Sequence, residues 1–516
     1  MKFIVLLHSD GNEFQDKKLF PNSSGVLKSA RERSMEWAQA LSFDGAQKEV
    51  VLLEGKNWTG GQLLENIVQA AQKAAADFVV YANASAAFLD LPLSKKLIQD
   101  HVGFKAEYTF ADGYPSGFAP EILDRGAASI MLELCKSASA EEAEKPVSKD
   151  SLFNLIKGDV NSFEIETEIA SVDYRLLRLD FLCSTKRAAL AAEALAKKLA
   201  SGEGKKLLDL DNEKVGEENV LAICREAADE PGVLKTVPAF YNVQIEGRVF
   251  SRAVFSPYKA REERMPFESF KSLAGKIKDF SGDAVVSLSL FGEAALHPDF
   301  DKFVVALAQA GLGVFAEIDG GLLPDFVRGE AFKRIVAALP DKSLRDKIYF
   351  VVCLDAATQE IFSKFHSGGL QEAVLAVKEM AAEFPETYPQ LVRVKDNEDE
   401  LEAFFRFWSD KNSPSNGKII VQKYDNFCGL LPDEKSADLS PLTRDPCWHL
   451  RRDFDILLDG SAILCRDRFN DGALGNVFEE DLDAIWKKKD SLLAEHIQKR
   501  YCGACGNCDE WYTFNF

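Results

Sequence analysis

The fold of the C-terminal region is decided by one short stretch, Phe454-Asp-Ile-Leu-Leu-Asp-Gly-Ser-Ala-Ile-Leu-Cys465. Apolar residues lie on both sides of the central Asp459-Gly460 pair, and an Asp-Gly pair between two apolar runs is the strongest short-range signal for a β-hairpin. The hairpin places Cys447 shortly before its first strand and Cys465 at the end of its second strand. Two cysteines that are distant in sequence therefore belong to one small structural unit.

A second group of cysteines follows the hairpin. Residues 482 to about 499 are predicted to form a helix, which leads into the triplet Cys502-x2-Cys505-x2-Cys508. The C-x2-C spacing lets two thiolates bind one metal from a single turn, and a second pair from the hairpin completes four ligands. The pattern leaves open whether the metal is zinc or an iron–sulfur cluster. It predicts a metal centre drawn from Cys447, Cys465, Cys502, Cys505 and Cys508.

The other five of the ten cysteines are scattered along the chain. A disulfide framework is not expected in the absence of an export signal, because cytosolic thiols are kept reduced. We expect these cysteines to be small buried hydrophobic side chains. They are Cys135, Cys183, Cys224, Cys353 and Cys428.

The composition indicates an acidic globular protein. Of the 516 residues, 46% are hydrophobic, and 62 Lys plus Arg against 82 Asp plus Glu give a formal net charge of -20. This balance argues against binding to nucleic acid or to anionic lipid, which requires an excess of basic residues. The N-terminal apolar run is too short for a signal peptide, and no run of about 18 apolar residues exists that could span a membrane. We expect a cytoplasmic protein whose partner is a small molecule or another protein.

Residues 1 to about 200 show apolar strand patterns that alternate with amphipathic helix patterns. This alternation predicts an α/β domain with a largely parallel sheet. The turn-rich segment 106–121 contains two Gly and two Pro residues and is a candidate ligand-binding loop, because such loops follow the strands of α/β sheets. The charged segment 201–236 is predicted to be a flexible connector.

Residues 237–425 show a second series of βα patterns, which predicts a full or partial TIM-type barrel. In such barrels the chemistry lies where the strands end, so polar residues at those positions are candidates for a shared site. Two of the predicted helices of the second half of the chain cover residues 326–339 and 482 to about 499. The polar residues that follow predicted strand ends are Glu246, Glu293, Asp319, Asp355 and Lys395.

The C-terminal region, residues 440–516, resembles the SPASM domain that is appended to many radical S-adenosylmethionine maturases. In that family such cysteines hold an auxiliary [4Fe-4S] cluster. The resemblance implies one cluster bound by Cys447, Cys465, Cys505 and Cys508, with Cys502 able to replace either of the last two. The matching residues are Pro446-Cys447-Trp448, Asp459-Gly460, Cys465-Arg466-Asp467, Gly475-Asn476, Ile485-Trp486, His496 and Cys505-x2-Cys508-Asp509-Glu510-Trp511.

Residues 237–425 resemble a radical S-adenosylmethionine barrel. The segment 287–299 is similar to the motif that holds the amino group of S-adenosylmethionine, and the segment 353–360 is similar to a strand-end motif of the same barrel. The resemblance implies that Gly292, Glu293 and Asp355 bind the cofactor.

The barrel departs from the family at its defining C-x3-C-x2-C loop. The three cysteine positions are occupied by Val249, Ala253 and Ser256. Valine and alanine offer no ligand atom, and a cluster is required to bind and reductively cleave S-adenosylmethionine. We therefore expect no radical chemistry from this chain alone.

Residues 1–200 are more distantly similar to nucleotide-diphospho-sugar transferases and nucleotidyltransferases. The similarity rests on segments 76–81, 88–90, 108–117 and 173–178. An aspartate that binds magnesium in that family is replaced here by Ser85.

The complete order of parts is similar to the spiro-SPASM family. The implied order is a transferase-like α/β domain over 1–200, a linker over 201–236, a degenerate barrel over 237–425 and a SPASM domain over 440–516.

Two functional hypotheses follow, and neither identifies a catalytic residue. The first is an iron–sulfur protein, related to radical S-adenosylmethionine enzymes, that binds a ligand or a partner. The alternative is a nucleotide-dependent or sugar-nucleotide-dependent transferase that acts through residues 1–200. In a third, weaker hypothesis the barrel binds S-adenosylmethionine through Glu293 without cleaving it.

The last six residues, Trp-Tyr-Thr-Phe-Asn-Phe, contain four aromatic side chains directly after the last cysteine. An apolar terminus of this kind is normally packed or used for docking. We expect internal packing of segment 511–516, with a docking site for another protein as the alternative.

Overall fold

The structure is a computed structural model that describes residues 1–137, 141–157, 160–209, 218–250, 255–437 and 440–513. The chain forms two compact α/β units, Met1–Thr236 and Val237–Phe516. In the described part of the chain, helices with the length and apolar character of a membrane span do not occur.

The first unit contains a six-stranded sheet and a separate strand pair. The sheet has the order β4-β1-β5-β7-β6-β8, and β2 pairs with β3. β1 lies at the centre of its parallel part, between β4 and β5, and residues 3–7 are completely buried. The strands are β1 (Lys2–Ser9), β2 (Phe20–Pro21), β3 (Leu27–Lys28), β4 (Gln47–Glu54), β5 (Phe78–Asn83), β6 (Tyr108–Asp112), β7 (Glu121–Asp124) and β8 (Ile165–Ile169).

The sheet of the first unit is largely parallel, as the sequence predicted, and among its six strands only β7 is antiparallel. β7 lies between β5 and β6 and is antiparallel to both. The connection from β6 to β7 reverses the chain through Gly113 and Gly117, whose φ values are 86° and 99°. At Gly117 a Cβ atom would lie 3.0 Å from the backbone of Phe181, so only glycine fits. The strand β7 itself was not predicted, because it has only four residues and begins where the turn-rich segment 106–121 ends.

Nine α-helices of the described residues accompany this sheet. α2 begins at a capping box formed by Thr59 and Gln62, and its apolar residues at helical spacing face the core. The helices are α1 (Ala30–Ala40), α2 (Gly60–Ala74), α3 (Leu91–Phe104), α4 (Arg125–Ser137), α5 (Glu141–Glu144), α6 (Ser151–Lys157), α7 (Lys186–Ser201), α8 (Glu218–Asp229) and α9 (Pro231–Leu234).

Part of the segment predicted as a connector, residues 201–236, is folded into the first unit. α8 buries Val220, Ile223 and Cys224, which share one helix face. The Asn219 side chain at its start donates a hydrogen bond of 2.8 Å to Asp90. Arg225 and Asp229 of the same helix are exposed, and such charged residues make the composition resemble that of a linker.

The second unit is built on one nine-stranded sheet with the order β14-β13-β12-β11-β10-β9-β15-β16-β17. Neighbours from β14 to β15 are parallel, and β15 turns back through the hairpin to β16. The predicted hairpin therefore extends the sheet of the barrel-like region. The strands are β9 (Phe240–Val243), β10 (Val285–Ser287), β11 (Gly313–Asp319), β12 (Ile348–Cys353), β13 (Thr387–Arg393), β14 (Ile420–Lys423), β15 (Asp453–Ile456), β16 (Ser461–Ile463) and β17 (Gly475–Asn476).

Helices connect these strands and enclose an aromatic core, in which the ring centroids of Phe270 and Phe303 lie 4.5 Å apart. Each of the two long predicted helices is divided in two. The first is interrupted at Gly329 and the second between residues 487 and 490. The helices are α10 (Phe267–Ser281), α11 (Phe300–Gln309), α12 (Leu323–Arg328), α13 (Glu330–Ala338), α14 (Gln359–Phe365), α15 (Leu370–Glu383), α16 (Leu401–Trp408), α17 (His449–Arg452), α18 (Leu482–Lys487) and α19 (Asp490–Ile497).

Candidate functional site

Four of the five cysteines predicted as ligands line one cavity of the second unit. Cys447 precedes α17, Cys465 follows β16, and Cys505 and Cys508 lie in and directly after the turn Gly503–Asn507. Three separate segments therefore bring their thiols to one place.

The hairpin that positions Cys465 depends on Gly460. Its φ is 82°, and a Cβ atom there would lie 2.3 Å from the ring of Phe478. Glycine is therefore required both by the backbone conformation and by the close approach of the ring.

The structure differs from the sequence prediction at two cysteines. Cys502 is exposed and is not among the residues that line the cavity. Cys428, which was expected to be a buried hydrophobic side chain, lines the cavity together with the four tail cysteines. A sequence signal for Cys428 existed, because it closely follows β14 at the carboxyl edge of the parallel strands, where barrel sites form.

Cys428 is close to two other potential ligands. Its sulfur, the sulfur of Cys508 and a carboxylate oxygen of Asp467 all lie within 4.8 Å of one another. In contrast, Cys183, Cys224 and Cys353 are completely buried, as expected for small hydrophobic side chains.

Several hydrogen-bond donors point at the sulfur atoms. Arg468 Nη1 donates to Cys505 Sγ at 3.3 Å, and the backbone N–H of Glu510 donates to Cys508 Sγ at 3.4 Å. Arg444 and Arg466 also line the cavity. Positive charge and N–H donors stabilise thiolates over thiols, so this environment suits sulfur atoms that bind a metal.

Burial acts in the opposite direction and favours the protonated form of these thiols. Burial raises the pKa of the Cys447 thiol, and burial together with the charge of Asp467 raises that of Cys465. For Cys508, the hydrogen bond with Cys428 is the largest cause of a raised pKa, followed by burial. These thiols lose their protons when a metal replaces them. The set of donors fits a thiolate-bound iron–sulfur cluster.

Polar contacts hold the ligand segments together. The backbone N–H of Cys447 donates to His496 Nδ1 at 3.4 Å. His449 lies 2.5 Å from Asp453 through Nδ1, and its Nε2 is 3.0 Å from the carbonyl oxygen of Glu510. Although burial opposes ionisation, Arg452 and His449 hold the pKa of Asp453 below its ordinary value. A charged network therefore links the segment before the hairpin to the segment after Cys508.

The C-terminal aromatic segment is packed where it is described. Trp511 is 5% exposed, and its carbonyl oxygen accepts a hydrogen bond of 3.0 Å from the backbone of Trp448. This contact joins the residue after the first ligand to the end of the chain. Phe514 and Phe516 lie outside the described residues.

A second cavity lies at the carboxyl ends of the parallel strands and is lined by Gly292 and Glu293, two of the three residues predicted to bind a cofactor. A Cβ atom at Gly292 would lie 1.8 Å from the carbonyl oxygen of Glu246, so only glycine fits. The Glu293 backbone donates to the Arg248 carbonyl at 2.8 Å. The rings of Tyr258 and Phe291 stack in the cavity wall with centroids 5.3 Å apart.

Two of the three residues that the resemblance aligns with the cysteine loop of radical S-adenosylmethionine barrels belong to the same cavity. Val249 and Ser256 line it, and Ala253 lies outside the described residues. The described lining of this cavity contains no cysteine.

Asp355, predicted to bind the cofactor, does not line either of these two cavities. It lies with Asp319 and His366 in a triad whose three side chains are completely buried. His366 Nδ1 is 2.9 Å from Asp319 Oδ2, and His366 Nε2 is 3.0 Å from Asp355 Oδ2. Burial favours the neutral imidazole, but the hydrogen bonds and charges of the two aspartates outweigh it and raise the pKa of His366 to about 8.

The five polar strand-end residues therefore do not form one shared site. Of these residues, only Glu293 lines the second cavity. Glu246 pairs with Arg248 at 2.8 Å, and Lys395 donates to the carbonyl oxygen of Asp433 at 2.6 Å. The prediction failed because a carboxylate after a strand can be satisfied by local partners as well as by a ligand.

The first unit has a cavity formed mainly by the predicted ligand loop, residues 106–121. Lys149 donates to Ser116 Oγ at 3.2 Å in its wall, and Arg175 lies 3.4 Å from Asp112. Ser85, which the resemblance to nucleotidyltransferases aligns with a magnesium ligand, is completely buried and is not part of the lining.

Comparison with known proteins identifies relatives of different kinds. Residues 447–509 match the SPASM family, described as an iron-sulfur cluster-binding domain. An uncharacterized protein of Treponema pallidum (strain Nichols) is 37% identical over 383 residues, which are 71% of this chain and 98% of that protein.

Solved structures show more distant similarity. Streptococcus suis SuiB bound to precursor peptide SuiA is 14% identical, with a TM-score of 0.41, over 66% of this chain and 89% of that chain. BtrN in complex with AdoMet and 2-DOIA is 17% identical, with a TM-score of 0.33, over 54% and 93%. A cytidylyltransferase from Leptospira borgpetersenii is 11% identical, with a TM-score of 0.32, over 45% and 96%. From its identity and coverage, the chain belongs to the family of the Treponema pallidum protein, and its C-terminal region is a SPASM iron–sulfur cluster-binding domain.

Proposed function

We propose that the chain binds one [4Fe-4S] cluster through Cys447, Cys465, Cys505 and Cys508. The observation that carries the proposal is the convergence of four thiols from three separate segments on one cavity. When bound, such a cluster supplies one-electron transfer.

The surrounding residues are suited to hold the negative charge of four thiolates. Arg468 and the Glu510 backbone donate to two of the sulfurs, and Arg444 donates to the carbonyl oxygen of Cys505 at 2.7 Å. The carbonyl contact fixes the C-x2-C turn, and the N–H···S contacts favour ionised sulfur. The chain thus orients the ligands and compensates their charge.

The proposal is tested by anaerobic purification followed by iron, acid-labile sulfide and zinc analysis. We expect equal amounts of iron and sulfide that fit one cluster per chain. Cys465→Ala is expected to abolish both, whereas Cys353→Ala, a change in the completely buried interior of β12, is expected to leave them intact. A protein that contains zinc and no sulfide overturns the proposal.

We further propose that the second cavity binds a ligand and that the chain does not cleave S-adenosylmethionine. Support comes from the donor chemistry at the three replaced positions, since Val249 and Ala253 offer no ligand atom and serine does not normally hold this cluster. The cavity is lined by the carboxylates of Glu293 and Glu317, whereas Lys423 in its wall is already paired with Asp509 at 2.9 Å and with Glu510. The two carboxylates suit a small polar ligand that carries a positive charge.

Ligand binding is tested by thermal shift with S-adenosylmethionine and with nucleotides. A ligand at 100 times its dissociation constant stabilises the folded state by about 2.7 kcal/mol. We expect S-adenosylmethionine to stabilise the wild-type chain more than a Glu293→Gln variant, with Glu262→Gln, outside the cavity lining, as the control. Equal shifts in all three proteins contradict a role for Glu293.

A second candidate function is nucleotide or sugar-nucleotide binding by the first unit. The observation that favours it is the presence of Lys149, Arg175 and the Gly113 turn around one cavity. Cations and glycine turns are the elements that bind phosphate groups. The same thermal-shift screen tests it, with Lys149→Ala as the variant that is expected to lose the shift.

A further inference from the structure

Cys428 lies in the short turn Phe427–Gly429 that follows β14. The φ values of Phe427, Cys428 and Gly429 are 52°, 55° and 91°, so three successive residues are left-handed. This conformation is unfavourable for residues other than glycine and persists only where surrounding contacts enforce it. The turn is therefore held in place by its neighbours.

Asp425 makes two of the contacts that hold the turn. Its Oδ1 accepts a hydrogen bond of 2.7 Å from the backbone of Phe427, and its Oδ2 lies 2.8 Å from Arg466 Nη2. Arg466 directly follows Cys465 in the chain. The turn that carries Cys428 is thus bound to the segment that carries one of the proposed cluster ligands.

Two thiols lie close together at one corner of the first cavity, which is formed by Cys428, Cys508 and Asp467. The sulfur atoms of Cys428 and Cys508 and a carboxylate oxygen of Asp467 lie within 4.8 Å of one another. Cys508 Sγ is 3.8 Å from Asp467 Oδ2. Only one of two such close sulfurs is needed to complete a set of four with Cys447, Cys465 and Cys505.

An independent observation at the same corner is an unsatisfied carboxylate oxygen. Asp467 is 7% exposed, and within the described part of the chain its Oδ1 accepts no hydrogen bond, although it lies 3.5 Å from Arg466 Nε. A buried polar atom without a hydrogen bond requires an explanation, and a bound metal or ion is one of the recognised causes. We therefore expect a metal or ion to bind at this corner.

We propose that Cys428 belongs to the ligand set of the cluster and shares one iron position with Cys508, so that either thiolate can bind that iron. This inference rests on the proposed cluster. It accounts for a thiol from the barrel-like region at the cavity and for the enforced backbone of its turn.

The exchange between the two ligands is balanced in atoms and charge. In this exchange the iron position held by the Cys508 thiolate would be held by the Cys428 thiolate instead. The proton of the Cys428 thiol passes to the Cys508 thiolate, its hydrogen-bonded neighbour. No electron is transferred, so the oxidation state of the cluster is unchanged.

The test compares single and double variants of the full chain after anaerobic reconstitution with iron and sulfide. Cys428→Ala and Cys508→Ala are each expected to retain more than about half of the wild-type iron and sulfide, because the other thiol takes the shared position. The double variant is expected to hold about tenfold less iron and sulfide than the wild type. Cys502→Ala, which removes an exposed thiol outside the cavity, is the matched control and should equal the wild type.

Electron paramagnetic resonance of the reduced protein gives a second readout. Cys508→Ala is expected to show a cluster signal with g values that differ from the wild type, because its ligand now comes from another segment. The same comparison with serine in place of alanine keeps side-chain size nearly constant, and circular dichroism confirms that each variant is folded.

The outcomes separate this inference from the proposed function. If the wild type holds iron and sulfide but Cys508→Ala loses them as completely as the double variant, Cys428 does not share the position. A wild type without iron and sulfide overturns the cluster itself and this inference with it.

Discussion

The buried triad of Asp319, His366 and Asp355 predicts how the stability of the second unit depends on pH. The imidazole lies between two carboxylates, at 2.9 and 3.0 Å, and none of the three side chains is exposed. The remaining oxygens are also used, since Gly321 donates to Asp319 Oδ1 at 2.8 Å and Val392 donates to Asp355 Oδ1 at 2.7 Å. The triad is therefore a complete network that requires a protonated histidine.

The size and the sign of the effect follow from the pKa of His366, which is raised to about 8 from an ordinary value of 6.5. This difference corresponds to about 2 kcal/mol. Because the folded-state pKa is the higher one, the stabilisation is fully present below pH 6.5 and is lost as the pH rises through about 8.

Hydrogen exchange measured by mass spectrometry tests this effect locally. Peptides that cover β11 and β12 are expected to lose protection by about thirtyfold between pH 6 and pH 9, after correction for intrinsic exchange. His366→Gln is expected to be less protected at pH 6 and to lack this pH dependence. His297→Gln serves as the control, because burial lowers the pKa of His297, in the direction opposite to that of His366. A wild-type slope that persists in His366→Gln refutes the reasoning.

Three further predictions concern the cluster region and the barrel. With dithionite present, the purified chain should produce 5′-deoxyadenosine from S-adenosylmethionine only at the level without enzyme, and clear production contradicts the loss of radical chemistry. Arg468→Gln should lower the reduction potential of the cluster, because it removes an N–H···S bond to Cys505 that favours the reduced state. Arg500→Gln, at an exposed arginine, is the control. An unchanged reduction potential in Arg468→Gln argues against this role of Arg468. Deletion of residues 511–516 should lower the melting temperature by several degrees, since Trp511 is buried and such side chains contribute about 3–5 kcal/mol to the free energy of unfolding. Unchanged stability together with loss of a protein partner supports the alternative that this segment is a docking site.

The elements of the second unit were largely predictable because their patterns are local. The strands from β9 to β14 and the hairpin of β15 and β16 all occur where alternating or continuous apolar residues indicate them. The errors concern information that is not local. The insertion of β7 between β5 and β6 and the packing of α8 into the first unit depend on contacts between distant segments.

The candidate site was predictable only in part, for a related reason. The spacing of Cys505 and Cys508 and the hairpin before Cys465 identify ligands that are close in sequence or share a turn. Cys428 reaches the cavity through the topology of the sheet, which no spacing rule records. Asp355 shows the opposite error, because a strand-end carboxylate was assigned to a ligand although a histidine eleven positions later satisfies it.

The sheet topology also explains why the cluster site and the second cavity can influence each other. β15 pairs with β9, and Phe240 and Asn242 of β9 line both cavities. Arg466 lines both as well and lies 2.8 Å from Asp425, the residue that fixes the Cys428 turn. Charges in a partly buried environment interact more strongly than in water. A one-electron change at the proposed cluster is therefore expected to alter the electrostatic potential around Arg466 and in the neighbouring cavity. Because coupling between two sites is reciprocal, a charged ligand in that cavity is expected to shift the reduction potential of the proposed cluster.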